Sequence, residues 1–214
     1  MHTHTFIESP RPSSFLLVCD HASAVLPDEF GANTISPEDS GRHISHDIGA
    51  AEVTRRVAAS LPAHAFLANV SRLVVDLNRD VDCHDVIPET SDGTVLPFNQ
   101  NLSEAEHTIR LLRYHLPYHL ALHDVVQTYL SHLQQSALAV LVHSFTPCLK
   151  TLSTAATAAA SANADEAQRR LSDNTSRPWH IGLLWRDDET TAKALKAWLE
   201  ANTDFVIGDN EPYS

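Results

Sequence analysis

The sequence predicts an α/β protein, a single three-layer domain over residues 1–214 in which a mixed, mostly parallel sheet is covered by helices on both faces. Short apolar runs of strand length alternate with longer stretches of helical periodicity from residue 15 onward. The 214 residues are enough to close a hydrophobic core, and 43% hydrophobic with 20% charged residues is ordinary globular composition. No repeat and no clear linker divides the chain.

Each element follows from its local pattern. Residues 15–19, FLLVC, read as a short buried strand. Residues 44–61 read as a helix, with Ile48, Val53, Val57 and Leu61 at roughly helical spacing. The runs 64–70 and 73–77 read as further strands. A long helix opens at Ser103 with the capping-box pattern Ser103-x-x-Glu106 and runs toward residue 134, with Pro117 expected to kink or break it. Residues 138–142 form another buried strand run. The stretch 151–178, rich in Ala, Ser and Thr and then charged, reads as a mobile insertion, with a short helix within it equally consistent. Residues 180–185 resume a strand, 189–201 a helix with Ala194, Leu195, Trp198 and Leu199 on one face, and 205–207 begin another strand.

Charge and cysteine content exclude several partners. Fifteen Lys plus Arg against 27 Asp plus Glu leave a formal charge of −12, which opposes binding to nucleic acid or to an anionic membrane. No apolar run approaches the roughly 20 residues of a membrane helix, and the polar N-terminus has no signal-peptide core, so a cytoplasmic protein is expected. Cys19, Cys83 and Cys148 make neither an even set nor a Cys-x-x-Cys pair, which points to reduced thiols. Of the 14 histidines, most are expected at the surface or in packing, and the pair His2 and His4 reads as a frayed end.

Function in such a sheet is expected just past the carboxyl ends of the strands. The residues there are Asp20 and His21, Asn78 and Arg79, His143 and Ser144, Arg186 and Asp187, and Asp209 and Asn210. Two histidines flush with the ends of separate buried strands could converge on one ion. Other chemistries lack their motifs. The six glycines form neither G-x-G-x-x-G nor a phosphate loop, no G-x-S-x-G elbow exists, and H-E-x-x-H does not occur. His143 and Ser144, being adjacent, would point to opposite faces of an extended strand and cannot act as base and nucleophile.

Six stretches carry a family resemblance: LVCDHAS at 17–23, HISHDIGA at 43–50, SRLVVDLNR at 71–79, VHSFTP at 142–147, RPWHIG at 177–182 and GDNEPY at 208–213. In this order they resemble the successive motifs of the N-formylglutamate amidohydrolase family, which is similar in fold and metal-centred amide chemistry to the zinc carboxypeptidase and aspartoacylase group. The resemblance implies a zinc-exopeptidase-like, phosphorylase/hydrolase-like fold. It also implies a zinc or similar divalent ion held by His21, Asp47 and His143. Two imidazoles and a carboxylate suit a catalytic zinc with an open fourth position. The neighbouring His43 and His46 are alternatives to Asp47, whose early place in the predicted helix also has a purely electrostatic explanation.

The implied substrate is a small anionic N-acyl amino acid, N-formyl-L-glutamate or a relative, cleaved to formate plus glutamate. Arg72, Asn78 and Arg79 are the implied substrate contacts, since a guanidinium grips a carboxylate through paired hydrogen bonds. The alternative for Arg79 is a surface pair with Asp76, Asp80 or Asp82. Asn210 and Tyr213 are weaker candidates for substrate contact. The resemblance also implies a general-base glutamate on a strand expected beyond Ser214, so a second expectation is a family member that binds metal and an acidic ligand without turnover. The sequence leaves the oligomeric state open.

Overall fold

The computed structural model describes residues 2–30, 35–130, 137–149, 175–187 and 189–212. Its described residues divide into two compact units, 1–145 and 146–214.

The first unit is built on a four-stranded sheet. Its strands are β1 (His4–Ile7), β2 (Phe15–Cys19), β3 (His64–Ala68) and β6 (Leu138–Leu141), in the order β1-β3-β2-β6. The last three run parallel, and β1 runs antiparallel to β3 with His4 opposite Ala68. His4, expected in a frayed end, is therefore part of a strand and stacks on Phe66 at 4.7 Å between ring centroids. A two-strand hairpin of β4 (Thr90–Ser91) and β5 (Thr94–Val95) lies between β3 and the long helix in the chain.

Period-2 alternation explains why both faces of this sheet are covered. Leu16, Val18, Phe66 and Ala68 turn to one face and pack with Val74, Val75, Leu77, Tyr114 and Tyr118. Leu17, Cys19, Ala65 and Leu67 turn to the other, against Ala50 and Ala58 of helix α2 (Ala50–Ser60), which follows the short α1 (Pro37–Ser40). The buried stripe of α2 is Ala50, Thr54 and Ala58, spaced four apart. The larger residues of the expected face, Ile48, Val53 and Leu61, are instead about half exposed. Small side chains let the helix sit close on the sheet, and bulk turns outward.

Two further expectations change. The helix predicted over 44–61 starts only at Ala50, behind Gly49, whose φ of +83° no helix residue adopts. The run 73–77 is buried, as its apolar side chains require, but it is not a strand. Its backbone groups find partners outside any ladder: Leu73 O accepts from Asn99 Nδ2 at 2.8 Å, Asp76 N donates to Val86 O at 2.7 Å, and Leu77 O accepts from His119 Nε2 at 3.0 Å. Groups of distant residues, two side chains and one backbone carbonyl, thus replace the sheet hydrogen bonds that burial would otherwise leave unmade.

The long helix is capped as its sequence predicts: the Ser103 hydroxyl accepts from Glu106 N, and the Glu106 carboxylate accepts from Ser103 N. It runs through α3 (Glu104–Arg110), a π-helical turn at Leu111–His115, α4 (Leu116–Val125) and a second π turn at Val126–Leu130. Pro117 does not break it. Proline cannot donate a backbone hydrogen bond, and the wider turn preceding it, closed by Leu116 N to Leu111 O, accommodates the ring without interrupting the helix.

The second unit contains β7 (Cys148–Leu149) paired antiparallel with β8 (Thr175–Ser176), and β9 (Ile181–Leu183) paired in parallel with β10 (Ile207–Asp209). Helix α5 (Glu189–Asn202) connects β9 to β10 in the βαβ manner expected of a parallel pair. Its Leu195 and Trp198, expected on an apolar face, are 43% and 59% exposed. Of the expected insertion at 151–178, residues up to 174 lie outside the described residues, and Thr175–Ser176 form β8. Gly182 admits no larger residue, because an added Cβ would lie 2.2 Å from the Glu211 carbonyl oxygen.

Candidate active site and metal centre

Two adjacent parallel strands end side by side, and each is followed by a histidine. β2 pairs with β6 through Val18 opposite Leu141, and Val142 N extends the ladder by donating to Val18 O at 2.7 Å. His21 and His143 then leave the carboxyl edge together, with ring centroids 5.0 Å apart. Asp47 is brought to them by the turn before α2, whose backbone is tied on both sides: Asp47 N donates to His21 O at 2.9 Å, and Asp47 O accepts from Ala50 N at 3.1 Å. Gly49 makes that turn possible with its positive φ.

One ligand atom from each of His21, Asp47 and His143 lies within 4.8 Å of the others. His21 Nδ1 stands 3.5 Å from Asp47 Oδ1, and His143 Nδ1 stands 3.0 Å from Asp47 Oδ2, which also accepts from Ser144 N at 3.0 Å. His21 and Asp47 are buried, whereas the His143 side chain is 27% exposed. His21 Nδ1 and His143 Nε2 are buried ring nitrogens without a hydrogen-bond partner. Buried polar atoms are rarely left so, and unsatisfied imidazole nitrogens beside a carboxylate are the donor set a divalent ion requires. The chain's own residues therefore fit a metal here. The alternatives to Asp47 are placed differently, with His46 Nδ1 on the Ser45 hydroxyl at 3.0 Å and His43 Nε2 3.4 Å from Asp92.

Asp76 is the residue the sequence reading left in the background. Its Oδ1 accepts from His21 Nε2 at 2.7 Å, which fixes the ring and turns Nδ1 toward Asp47. The same oxygen accepts from Asn78 N at 3.0 Å, and Arg72 bridges the two carboxylates, 2.7 Å from Asp76 and 3.5 Å from Asp47. Burial alone would push both carboxyls up. For Asp47 the His143 and His21 imidazoles and Ser144 N–H outweigh it, and for Asp76 His21, Arg72 and Asn78 N–H do, so both are held well below the usual carboxylate range. Burial would lower His21, but its two carboxylate neighbours raise it above its ordinary value. A signal for Asp76 was present in the sequence, an aspartate two residues before Asn78 in a buried run, but nothing local shows that it meets residue 21.

A family model described as N-formylglutamate amidohydrolase matches residues 13–214. The chain belongs to the N-formylglutamate amidohydrolase family. A solved structure of a gene product from Agrobacterium tumefaciens is similar to it with a TM-score of 0.81 and 25% identity, over 100% of this chain and 75% of that one. The N-formylglutamate amidohydrolase from Ralstonia eutropha JMP134 is similar with a TM-score of 0.68 and 17% identity, over 100% of this chain and 78% of that one, a likeness of fold. No curated protein matches the chain. The α/β fold with its mixed sheet and helices is thus that of this amidohydrolase family. Among the described residues no helix is long and apolar enough to cross a membrane.

The other residues implied by the family resemblance fall in distinct settings. Arg72 is engaged by the two acidic side chains and is 30% exposed. Arg79 is 48% exposed and pairs with Asp85 at 3.2 Å, a partner outside the three aspartates weighed from sequence. Asn78 and Arg79 leave a backbone pinned by Asp76 through Asn78 N and through Arg79 N to Asp76 O at 3.2 Å. Arg79 lines a cavity of about 530 Å³ with His115 and His119. Asn210 has a φ of 55° and accepts from Trp185 N at 2.8 Å through its side chain, so its amide oxygen is committed to the backbone of the second unit. Tyr213 lies outside the described residues.

Proposed function

We propose that the chain is a metal-dependent hydrolase that cleaves the amide of N-formyl-L-glutamate, or a closely related N-acyl amino acid, to formate and glutamate. The observation that carries this reading is the convergence of His21, Asp47 and His143, with unsatisfied nitrogens on both imidazoles, in a member of an amidohydrolase family. These three residues would hold the ion, with zinc the metal best suited to two imidazoles and a carboxylate. When bound, such an ion supplies Lewis acidity toward the scissile carbonyl and lowers the pKa of water at its open position.

The chain's own residues do the rest. Asp76 holds His21 by its Nε2–H and keeps the lone pair on Nδ1. Arg72 offsets the negative charge of Asp47 and Asp76 and places its guanidinium beside the ligand Asp47, so we assign it a contact to the reacting end of the substrate. We assign the substrate carboxylate to Arg79 and Asn78. A guanidinium that is half exposed can exchange its surface pair with Asp85 for a substrate carboxylate at small cost, because such exposed pairs are worth about 0–1 kcal/mol. No described residue is assigned as the acceptor of the water proton.

Metal analysis after dialysis tests the site, with about one divalent ion per chain expected from the one such donor set among the described residues. His21→Ala and His143→Ala should each lose it, and retention of stoichiometric metal by both variants places the site elsewhere. Release of glutamate from N-formyl-L-glutamate tests the reaction, and turnover that survives complete chelation rules out metal dependence. Arg79→Ala should weaken an N-acyl amino acid by about 1.5–3 kcal/mol, the worth of a charge-assisted hydrogen bond, and its neutral amide analogue far less. Equal loss for both ligands makes Arg79 a structural residue.

A further inference from the structure

Asn78 and Arg79 are gripped from the long helix by two histidines that the reading above does not use. His119 Nε2 lies 3.0 Å from Leu77 O, and His115 Nε2 lies 2.9 Å from Arg79 O. A backbone carbonyl can only accept, so each imidazole must carry its proton on Nε2 and donate it. The two bonds fall on the carbonyls that bracket the Asn78–Arg79 pair, that of Leu77 before Asn78 and that of Arg79 itself. On the amide side, Asn78 N and Arg79 N are both held by Asp76. Leu77 O, Asn78 N, Arg79 N and Arg79 O are therefore each tied either to Asp76 or to the helix.

The two rings also brace one another. His115 and His119 are four residues apart on one helix face, and their ring centroids are 4.3 Å apart. His115 is buried, and His119 meets Tyr118, whose hydroxyl donates to Asp20 beside His21. Burial, and after it the neighbouring His115, lower His119 from its ordinary value, so near neutral pH it is the uncharged donor. Both rings line the same cavity as Arg79. An arginine is long and flexible, so the spread of its guanidinium depends on how firmly its backbone is held.

We propose that His115 and His119 are positioning residues for substrate binding, clamping the carbonyls of Leu77 and Arg79 so that Asn78 and Arg79 present a preorganised receptor for the carboxylate of an acidic N-acyl amino acid. This rests on the assignment of Asn78 and Arg79 to that carboxylate. The clamp acts on the ground-state grip of a group remote from the scissile bond, so its loss falls on KM more than on kcat.

Glutamine places its amide nitrogen near the position of a histidine Nε2 and keeps the donor, whereas leucine fills the space without one. His115→Leu and His119→Leu should each raise KM for N-formyl-L-glutamate roughly five- to tenfold, the equivalent of about one hydrogen bond, with kcat within about twofold. His115→Gln and His119→Gln should return KM to within about threefold of the parent. Amide hydrogen exchange in the same variants reads the clamp without substrate. Asn78 and Arg79 should exchange several-fold faster in the leucine variants and recover in the glutamine variants, while the β2 amides, Leu16–Cys19, stay as protected as in the parent. An unchanged KM, an equal loss in KM and kcat that glutamine does not restore, or unaltered exchange at Asn78 and Arg79 overturns the proposal. A parent chain inactive on N-formyl-L-glutamate counts against the catalytic reading alone, and the exchange rates then decide the clamp by themselves.

Discussion

Asp76 concentrates more of the site than any residue the motifs single out, since it orients His21, pairs with Arg72 and seats Asn78 through the same carboxylate. Asp76→Asn keeps an acceptor for His21 Nε2–H but removes the charge. It should weaken zinc binding about 10–100-fold, as loss of an outer partner of a ligating histidine commonly does, while one ion still binds at saturation. Chelator competition measures this, and unchanged affinity makes Asp76 a packing residue only. Asp47, Asp76 and His21 set a pH signature in the metal-free chain. Asp47 and Asp76 are held below the usual carboxylate value of about 3.9, so the stability they add is present above that pH and is lost as pH falls through their lowered values. His21 is raised above its ordinary value of about 6.5, so its contribution is full below that pH and is lost as pH rises through the raised value. The urea midpoint of chelated protein should therefore be highest between roughly pH 4 and 6.5. A midpoint that climbs from pH 6.5 to 8.5 contradicts the raised His21. Residue types and motif order point to His21, Asp47 and His143, but the partners of Arg72 and Arg79 are set by distances that no spacing encodes.

At the scale of the element, the turn that delivers Asp47 hangs on Gly49. Its φ of +83° lies where a side chain costs about 1–2 kcal/mol, and an added Cβ meets nothing within 4 Å, so the cost of Gly49→Ala is one of backbone conformation and not of collision. The variant should lose about 1 kcal/mol of stability and bind metal more weakly, because relaxation of residue 49 moves the backbone of Asp47. Gly49→Asn should be milder, since asparagine tolerates the left-handed region. Denaturant melts of the metal-free variants measure this, and an alanine variant as stable as the parent refutes the strain. Ser103→Ala is the contrasting element test. It removes one half of the capping box at the start of the long helix and should cost about 0.5–2 kcal/mol in stability with metal affinity unchanged. The capping box was legible because its chemistry is local. The start of α2 was not, because a helix-like pattern of Ile48, Val53, Val57 and Leu61 continued across a glycine whose conformation is dictated by the contact of Asp47 with His21.

For the molecule as a whole, a formal charge of −12 would face the proposed substrate, N-formyl-L-glutamate, which carries two carboxylates at neutral pH. Long-range repulsion of this sign is screened by salt, with a Debye length of about 10 Å at 0.1 M, so kcat/KM should rise as ionic strength increases from low values. A fall with added salt would mean that the local field of Arg72 and Arg79 governs encounter instead. The alternation of strand and helix, the six ordered motifs and the residue types at the strand ends were enough to determine an α/β amidohydrolase-family chain, because period-2 and helical patterns and short motifs are local properties of the sequence. Only the tertiary structure decided that 73–77 is a buried loop and not a strand, that Arg72 bridges two aspartates, that Asp76 meets His21, and that His119 and His115 meet the carbonyls of Leu77 and Arg79. Each of these depends on which residues, distant along the chain, supply the hydrogen bonds that burial demands, and an apolar run encodes the need for such partners without naming them.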